Sequence, residues 1–399
     1  MLRTIMTRST PKNVVVVGGS YVGVGLAEML AKDSSDKFRV LLIEKNSHFQ
    51  HLFAFPRFAV TTSIDTHKAF IPYQKSRLGQ AGAIIQAKAL SLSADSITLD
   101  REVELDGQTT NIIPFAALAI TTGTKLSAPS TLPGSEKLDG TSYLRKHAAR
   151  VEASNQIAII GGGAVGVQTA TDIKQLFPAK SVTLIHSRPQ LMPVYHPGLH
   201  SIIMERLAEL GVKTVLGRGR VTLPAEGYPS SGTFTVDIAD GTRVPADMAI
   251  ISTGQTPQSE LLAALAPDCI DDARFIRVRP TLQVANARLP NVFALGDVAA
   301  TKAHKAARPA QAQIAVVAAN VRRLLDGGAE PLEEYVVRDP PAIHLTLGIE
   351  RSVIFRNPTK DGREGSEAPV VMHKDDGRLD MGIEGMWARR GADITQSLL

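Results

Sequence analysis

One stretch decides the fold: Gln156-Ile157-Ala158-Ile159-Ile160-Gly161-Gly162-Gly163-Ala164-Val165-Gly166. A short apolar run leads into glycines spaced as G-x-G-x-x-G, and a helical pattern follows through Leu176. In this spacing the first glycine permits a tight turn, the second lets a pyrophosphate approach the backbone, and the third lets the helix pack closely on the strand. Because N–H groups at the start of a helix favour negative charge, the stretch predicts a dinucleotide-binding unit.

The same order of strand, glycine turn, helix and strand occurs near the beginning of the chain. The run Asn13 to Val17 precedes Gly18-Gly19-Ser20-Tyr21-Val22-Gly23, in which a serine stands where the second glycine usually lies. The two turns are too far apart to be repeats of a solenoid, so they indicate two similar modules. The predicted fold class is α/β, with two Rossmann-like dinucleotide-binding domains, and two bound nucleotides are expected.

The residue that ends the second strand of each module faces the ribose in this fold. In the first module this residue is Glu44, followed by Lys45, and its carboxylate can accept hydrogen bonds from both ribose hydroxyls. The acid favours a ribose without a 2′-phosphate. The second module has His186-Ser187-Arg188 instead, which suits either a free 2′-hydroxyl or a 2′-phosphate. NADH and NADPH both remain open as the second nucleotide.

Three further strands deliver the chain to short polar turns. Two of these turns are Thr122-Gly123 and Thr253-Gly254, and the third is Gly296-Asp297 after an apolar run. In flavoproteins such an aspartate accepts hydrogen bonds from the ribityl chain. A helical pattern from Ala310 to Val321 would direct its positive end toward the flavin, and Lys305 lies just upstream.

Composition excludes several classes of protein. The 399 residues predict two to three domains, and the 44 basic and 39 acidic residues are interspersed, so no nucleic-acid-binding tail is expected. The single cysteine, Cys269, excludes an intrachain disulfide and a cysteine pair, so electron chemistry must use a cofactor. Charged residues interrupt every apolar run before it reaches membrane-spanning length. No metal site is predicted.

The combined motifs resemble a known family. The two glycine turns, Thr122-Gly123, Ser252-Thr253-Gly254 and Ala294-Leu295-Gly296-Asp297 are similar to those of pyridine-nucleotide oxidoreductases with two dinucleotide-binding domains. Within that superfamily the chain most resembles the apoptosis-inducing-factor-like branch that contains the ferroptosis-suppressor quinone reductase. The resemblance runs from about Asn13 to Ile354. It implies a glutathione-reductase-like fold with FAD in the first module and NADH or NADPH in the second.

The resemblance also carries individual residues. His51, Arg57, Lys305 and Ala310 match positions around the flavin, and His51 and Lys305 are the candidates for a catalytic role. Two positions depart from the branch. Gln168 replaces a glutamate that usually follows the second glycine motif, and Ala388 follows Trp387 where the quinone reductase has a lysine. Nicotinamide positioning and a membrane-side quinone role are therefore the least supported parts of the resemblance.

These observations define a domain plan and a set of site residues. Residues 11–125 and 265–334 are predicted to form a discontinuous FAD-binding domain, 126–264 the NAD(P)H-binding domain, and 335–399 a C-terminal extension. The candidate cofactor-binding residues are Gly18, Gly19, Ser20, Tyr21, Val22, Gly23, Glu44, Lys45, His51, Arg57, Thr122, Gly123, Gly161, Gly163, Ala164, Val165, Gly166, Ser187, Arg188, Thr253, Gly254, Gly296, Asp297, Ala310 and Gln311.

The predicted function is that of an FAD-dependent NAD(P)H oxidoreductase that passes a hydride through the flavin to a small acceptor, a quinone or oxygen. One alternative is a flavin-based redox sensor with slow turnover. Another is a biosynthetic flavoenzyme acting on a dedicated small molecule, for which Phe53, Phe55 and Phe58 are candidates to line an aromatic pocket.

The expected partner is a small-molecule electron acceptor, with no specific nucleic acid. The chain is expected to be a monomer or a homodimer. Its default location is the cytoplasm, with peripheral membrane contact or mitochondrial association as alternatives.

Overall fold

The computed structural model describes residues 11–32, 37–80, 82–328, 330–359 and 367–398. The chain forms two compact units. The first unit is built from the described parts of Met1–Ser47, Tyr73–Thr124 and Thr256–Val337, and the second from those of His48–Pro72, Lys125–Gln255 and Arg338–Leu399. Small parts of the predicted domains, at 33–36, 81, 329, 360–366 and 399, lie outside the described residues.

The strands of the first half of the chain are β1 (Lys12–Val17), β2 (Phe38–Glu44), β3 (His48–Gln50), β4 (Phe70–Pro72), β5 (Ala83–Gln86), β6 (Ala89–Leu92), β7 (Ser96–Leu105), β8 (Gln108–Pro114), β9 (Ala117–Ile120), β10 (Thr124–Leu126), β11 (Gln156–Ile160) and β12 (Ser181–His186). Those of the second half are β13 (Lys213–Leu216), β14 (Phe234–Asp237), β15 (Arg243–Ala246), β16 (Met248–Ile251), β17 (Gln255–Pro257), β18 (Val292–Ala294), β19 (Ala342–Thr346), β20 (Ser352–Arg356) and β21 (Val370–Lys374).

The α-helices are α1 (Tyr21–Lys32), α2 (Phe55–Phe58), α3 (Lys137–Ala153), α4 (Ala164–Leu176), α5 (Pro197–Glu209), α6 (Glu260–Ala263), α7 (Ala307–Asp326) and α8 (Glu384–Arg390). Across the described ranges, none of these helices combines the length and the apolar character needed to cross a membrane.

The first unit is organised around a parallel sheet of five strands in the order β18-β9-β1-β2-β5. All seven residues of β2 are buried, as expected for an interior strand of a sheet covered on both faces. Strand β1 pairs with β2 on one side and with β9 on the other, so the strand order changes direction at β1. Such a reversal opens a crevice in which nucleotides bind. A separate antiparallel sheet, β6-β7-β8, belongs to the same unit.

The second unit repeats this arrangement with a parallel sheet of four strands in the order β13-β12-β11-β16. Here β11 takes the place of β1, with β12 on one side and β16 on the other. The two sheets confirm the predicted α/β fold with two Rossmann-like modules.

The unit boundaries differ from the predicted plan in two respects. Residues 48–72 belong to the second unit, although the predicted plan placed them in the FAD-binding domain. The C-terminal region also belongs to the second unit. Its antiparallel sheet, β19-β20-β21, contributes Leu345, Val353 and Phe355 to the same apolar core as Ile203 of α5. The C-terminal residues therefore complete a core that the second module does not close by itself.

A buried ion pair ties three separate segments of the second unit together. The guanidinium of Arg57 donates to both carboxylate oxygens of Asp172 on α4, at 2.9 and 2.8 Å. Its other N–H groups donate to the carbonyls of Gly348 at 2.6 Å and Arg378 at 3.0 Å. The two side chains are 1% and 0% exposed. Bidentate geometry and additional acceptors are the conditions under which a buried charge is tolerated.

Asp172→Ala is expected to lower the free energy of unfolding of the second unit by about 3–5 kcal/mol, because it leaves the Arg57 guanidinium buried without a counter-charge. Urea denaturation followed by the fluorescence of Trp387, the chain's single tryptophan, reports on this unit. The matched control is Asp237→Ala, since Asp237 pairs with Arg243 where both side chains are more than half exposed, at 57% and 78%. The control is expected to cost less than about 1 kcal/mol. Equal costs for the two variants would contradict a special role for the buried pair.

Candidate cofactor sites

The first glycine turn is shaped by two close backbone approaches. Gly18 has φ +106°, and a Cβ there would lie 2.7 Å from the carbonyl oxygen of Thr121. A Cβ on Gly23, in the first turn of α1, would overlap the carbonyl oxygen of Gly18. Glycine at both positions is therefore required by packing alone. The result is that the N-terminus of α1 begins directly at the carboxyl end of β1.

The second glycine turn has the same geometry. Gly161 has φ +121°, and a Cβ on Gly166 would overlap the carbonyl oxygen of Gly161. Gly163 differs, because a Cβ there would meet no atom within 4 Å in the described part of the chain. The space beside Gly163 lies at the N-terminus of α4, where the backbone favours an anion. The corresponding position of the first turn is Ser20. An open space at this position explains why a small side chain is tolerated there.

Glu44 acts on the first turn from the end of β2. The side chain is 7% exposed, and it accepts hydrogen bonds from the backbone N–H of Gly19, and from the N–H and the Nδ2 of Asn46 at 2.8 and 2.6 Å. A carboxylate has about four acceptor positions, so about one is left for a ribose hydroxyl rather than the two that the sequence predicted. Tyr73 supports the same turn, because its hydroxyl donates to the carbonyl of Gly19 at 2.8 Å.

The Gly296-Asp297 turn lies beside the start of α1 within the first unit. Gly296 has φ +76°, and a Cβ there would lie 3.1 Å from the side chain of Val22. Its N–H donates to the buried amide oxygen of Gln313 at 2.8 Å. Gln313 lies on α7, whose Ala310 is buried and whose Gln311 is exposed. The structure therefore gives Gln313 a contact with this turn, and the cofactor-binding role of the exposed Gln311 stays a prediction.

Asp297 and Lys305 form the charged part of the same turn. Burial raises the pKa of the Asp297 carboxyl, and the charge of Lys305 opposes this shift. Burial lowers the pKa of Lys305, against the charges of Asp297 and Asp271. The Lys305 ammonium donates to the carbonyl of Ala299 and lies 4.5 Å above the ring of Phe275. Its charge is thus held in place by the first unit's own residues.

The two Thr-Gly turns are stabilised by the protein itself. The Thr122 hydroxyl donates to the carbonyl of Gln258 at 2.6 Å, and the Gln258 amide donates to the carbonyl of Thr122 at 2.6 Å. The Thr253 carbonyl accepts a hydrogen bond from the Ser127 hydroxyl at 2.6 Å. Gly123 and Gly254, both at positive φ, have open space at their Cβ positions among the described residues. The glycines, rather than the threonine hydroxyls, therefore offer close approach to a ligand.

His186 occupies in the second unit the place that Glu44 has in the first. Its Nδ1 accepts a hydrogen bond from the backbone N–H of Gly162 at 3.1 Å, so the neutral ring carries its proton on Nε2. Nε2 is buried and makes no hydrogen bond of acceptable geometry with the described residues. Burial and the charge of Arg188 lower the pKa of His186, while the Gln190 backbone acts in the opposite direction. Ser187 and Arg188 are exposed.

With this geometry in place, comparison with known proteins identifies the family. The model of the pyridine nucleotide-disulphide oxidoreductases matches residues 12–319. The chain belongs to this family. It is an FAD-dependent NAD(P)H oxidoreductase, as the sequence predicted.

Among its relatives, Fe-regulated protein 8 of Mycosarcoma maydis is 35% identical to this oxidoreductase over 95% of both chains. Ferroptosis suppressor protein 1 of Taeniopygia guttata is 27% identical over 85% of this chain and 86% of its own. The structure of the sulfide:quinone oxidoreductase from Aquifex aeolicus aligns with a TM-score of 0.70 and 18% identity, over 96% of this chain and 92% of its own. The last comparison shows a shared fold.

The residues of the oxidoreductase fit the two cofactors of the family. Each unit has a helix N-terminus at a glycine turn for a pyrophosphate. In the first unit the turn adjoins Glu44 and the Gly296-Asp297 turn, which suit a ribose and a ribityl chain. In the second unit the open space at Gly163 and the buried Nε2 of His186 suit the diphosphate and ribose end of a nicotinamide nucleotide.

The remaining predicted residues divide between the two units. Tyr21 and Val22 lie in the first turn of α1, Lys45 is exposed after β2, and Ala164 and Val165 lie in the first turn of α4. His51 and Arg57, expected around the flavin, belong to the second unit. The guanidinium N–H groups of Arg57 donate to Asp172 and to backbone carbonyls, which points to a structural role. Burial, followed by the charges of Arg389 and Arg390, lowers the pKa of His51 to about 4, so this imidazole is neutral at pH 7.

Gly163→Val is expected to weaken NAD(P)H binding at least about tenfold while FAD is retained, because the added side chain enters the space beside the α4 N-terminus, where its Cβ meets no atom of the described residues within 4 Å. The backbone at this position, with φ −84° and ψ −175°, is one that valine adopts readily. Nucleotide affinity is measured by calorimetry and FAD content by visible absorbance. Gly328→Val, in open space of the first unit, is the control. Unchanged nucleotide affinity in Gly163→Val would contradict this site.

Proposed function

We propose that this oxidoreductase is a quinone reductase that prefers NADPH as its electron donor. The overall reaction joins NADPH, one proton and a quinone to give NADP⁺ and a hydroquinone, so two electrons and two protons reach the acceptor. The observation that carries the donor preference is the replacement of an acid by His186 in the second unit, next to Arg188.

The preference for NADPH follows from the contrast between the two units. Glu44 places a carboxylate at its glycine turn, and a carboxylate would repel a 2′-phosphate. His186 instead presents an imidazole with no negative charge, and the exposed Arg188 guanidinium lies close enough to lower the pKa of His186. A donor nitrogen beside a guanidinium is suited to the oxygens of a phosphate.

The cysteine content supports a small acceptor that takes its electrons from the flavin without an intervening pair of cysteines. Cys269 is the only cysteine of the chain, it is buried, and burial raises the pKa of its thiol. A dithiol relay needs two cysteines, so electrons leave from the flavin without one. The name of the Aquifex aeolicus enzyme, which includes a quinone, supports a quinone as the acceptor in this fold.

The chain's own residues position the reactants in this proposal. The N-termini of α1 and α4 hold the two pyrophosphates, Glu44 accepts from one ribose hydroxyl, and Asp297 accepts from the ribityl hydroxyls. Lys305 places positive charge beside Asp297. When bound, FAD supplies the hydride and electron-pair chemistry that these residues do not have.

Under nitrogen, one equivalent of NADPH is expected to bleach the flavin's visible absorbance, and an added quinone is expected to restore it. Stopped-flow absorbance measures both half-reactions. We expect the quinone to reoxidise the flavin at a rate above about one per second, which lies in the range of ordinary enzyme turnover. A bleached flavin that quinones reoxidise far more slowly would favour a redox sensor instead, and a spectrum that neither nucleotide changes would contradict the oxidoreductase reaction.

His186→Glu is expected to lower kcat/KM for NADPH at least about tenfold and to raise it for NADH, because a carboxylate repels the 2′-phosphate and accepts from a free ribose hydroxyl. Steady-state assays with both donors and one quinone measure the change. The control is His344→Glu, which makes the same charge change at an exposed strand position of the same unit. Parallel changes for the two donors in His186→Glu would overturn the assigned preference.

A further inference from the structure

The chain that leaves β13 in the second unit lies against the end of β12. The two strands are parallel, and their register places Leu216, the last residue of β13, beside His186. The N–H of Gly217 then donates to the carbonyl of His186 at 3.0 Å and to that of Arg188 at 3.1 Å. These bonds hold the turn Gly217-Arg218-Gly219-Arg220 beside the residues that follow β12.

This turn lies at the edge of the sheet where a nucleotide is expected. His186 contacts the second glycine turn, because its Nδ1 accepts from the N–H of Gly162 at 3.1 Å. Since Gly217 donates to the carbonyl of the same histidine, one residue joins the two turns. Both turns follow the carboxyl ends of parallel strands, and dinucleotides bind along that edge in this fold. The turn after β13 therefore borders the expected position of the adenosine ribose.

Arg218 brings a weakly paired guanidinium to this turn. Its side chain is 66% exposed, and its Nη1 lies 3.8 Å from the Oδ2 of Asp240. That distance is too long for a hydrogen bond. Neighbouring strands lie about 4.8 Å apart, so Arg218 begins about one strand spacing from the turn that carries Arg188. The long side chain of Arg218 can therefore reach a phosphate bound beside Arg188.

Asp240 is held by its own turn rather than by Arg218. Its Oδ1 accepts from the N–H of Thr242 at 2.9 Å, and the N–H of Ile238 donates to the carbonyl of Thr242 at 2.9 Å. An exposed ion pair of this kind contributes little to stability. A phosphate group carries close to two negative charges and three acceptor oxygens, so it is the stronger partner for the guanidinium.

We propose that Arg218 is a specificity-determining residue that binds the 2′-phosphate of NADPH together with Arg188. The two guanidinium groups come from the turns after two neighbouring strands, so the phosphate oxygens can accept from both. A free 2′-hydroxyl carries no charge, so with NADH Arg218 stays beside Asp240. The inference rests on the proposed function, because it extends the preference for NADPH to a second arginine.

The test measures the binding of two nucleotides without a nicotinamide ring, adenosine 2′,5′-bisphosphate and AMP, to the flavin-loaded enzyme by calorimetry. Arg218→Gln is expected to weaken binding of the bisphosphate at least about fivefold and of AMP less than about twofold, because only the bisphosphate carries the 2′-phosphate. Arg218→Lys keeps the charge without the planar fork, so its effect is expected to be smaller. In Arg218→Gln the ratio of kcat/KM for NADPH to that for NADH is expected to fall to a similar extent.

The matched control is Arg351→Gln. Arg351 is 52% exposed and pairs with Glu209, the last residue of α5. Because α5 leads into β13, this end of the helix lies at the amino edge of the sheet, opposite to the edge where dinucleotides bind. The control removes an exposed, paired arginine of the same unit, and both affinities are expected to stay within about twofold.

A second variant, Asp240→Asn, tests the competing carboxylate. It is expected to strengthen binding of the bisphosphate at least about twofold relative to AMP, because the amide neither pairs with Arg218 as an ion nor repels the 2′-phosphate. A weaker preference for the bisphosphate in this variant would contradict the exchange of partners by Arg218. The visible absorbance of FAD and the fluorescence of Trp387 show whether each variant remains folded.

The two proposals fail in different ways. If the unaltered enzyme binds the bisphosphate no better than AMP and uses NADPH no better than NADH, the proposed donor preference fails, and the role of Arg218 fails with it. If the unaltered enzyme prefers the 2′-phosphate and Arg218→Gln keeps that preference, the proposed function stands and the role of Arg218 is overturned. Equal weakening of both nucleotides in Arg218→Gln would also overturn it.

Discussion

The structure depends on a backbone approach that only glycine allows. In each unit the helix that follows the glycine turn, α1 or α4, begins so close to the preceding strand that a side chain on Gly23 or Gly166 would overlap a carbonyl oxygen of the turn. This contact sets the direction of the helix, and the direction of the helix decides where its unpaired N–H groups point. Phosphate binding is therefore a consequence of packing, because the same contact that joins helix to strand also aims the positive end of the helix at the carboxyl edge of the sheet.

This physical origin explains which parts of the molecule could be predicted from sequence. The spacing of the glycines reports a local constraint, so the two modules, their strands β1 and β11 and their helices α1 and α4 follow from it. In the first turn, Ser20 stands at the position where the pattern usually has its second glycine. It is harmless because the corresponding position in the second turn, Gly163, has open space where a Cβ would be. Only the outer glycines carry the packing constraint.

The parts that could not be predicted depend on contacts between residues distant in sequence. Tyr73 holds the carbonyl of Gly19, and Gln313 holds the N–H of Gly296, yet neither belongs to a motif. The sequence also does not show which residue Arg57 contacts. Its match to a family position implied a flavin neighbour, whereas its buried pair with Asp172 depends on a helix more than 100 residues away in the chain. A positive charge in a sequence does not reveal whether a carboxylate has been folded against it.

The same reasoning bears on how specificity is distributed in this oxidoreductase. The glycine turns are nearly equivalent in the two units, so they cannot distinguish one nucleotide from another. In the proposed function the discrimination comes from the residue that contacts the turn from the end of the second strand, which is Glu44 in one unit and His186 in the other. Acceptor choice has a separate source. Because one cysteine cannot form a dithiol relay, the acceptor must collect its electrons from the cofactor itself, and its selection therefore falls to the side chains that surround its approach. Such side chains are under no packing constraint comparable to that of the glycines, which is why acceptors can differ among proteins that share this fold.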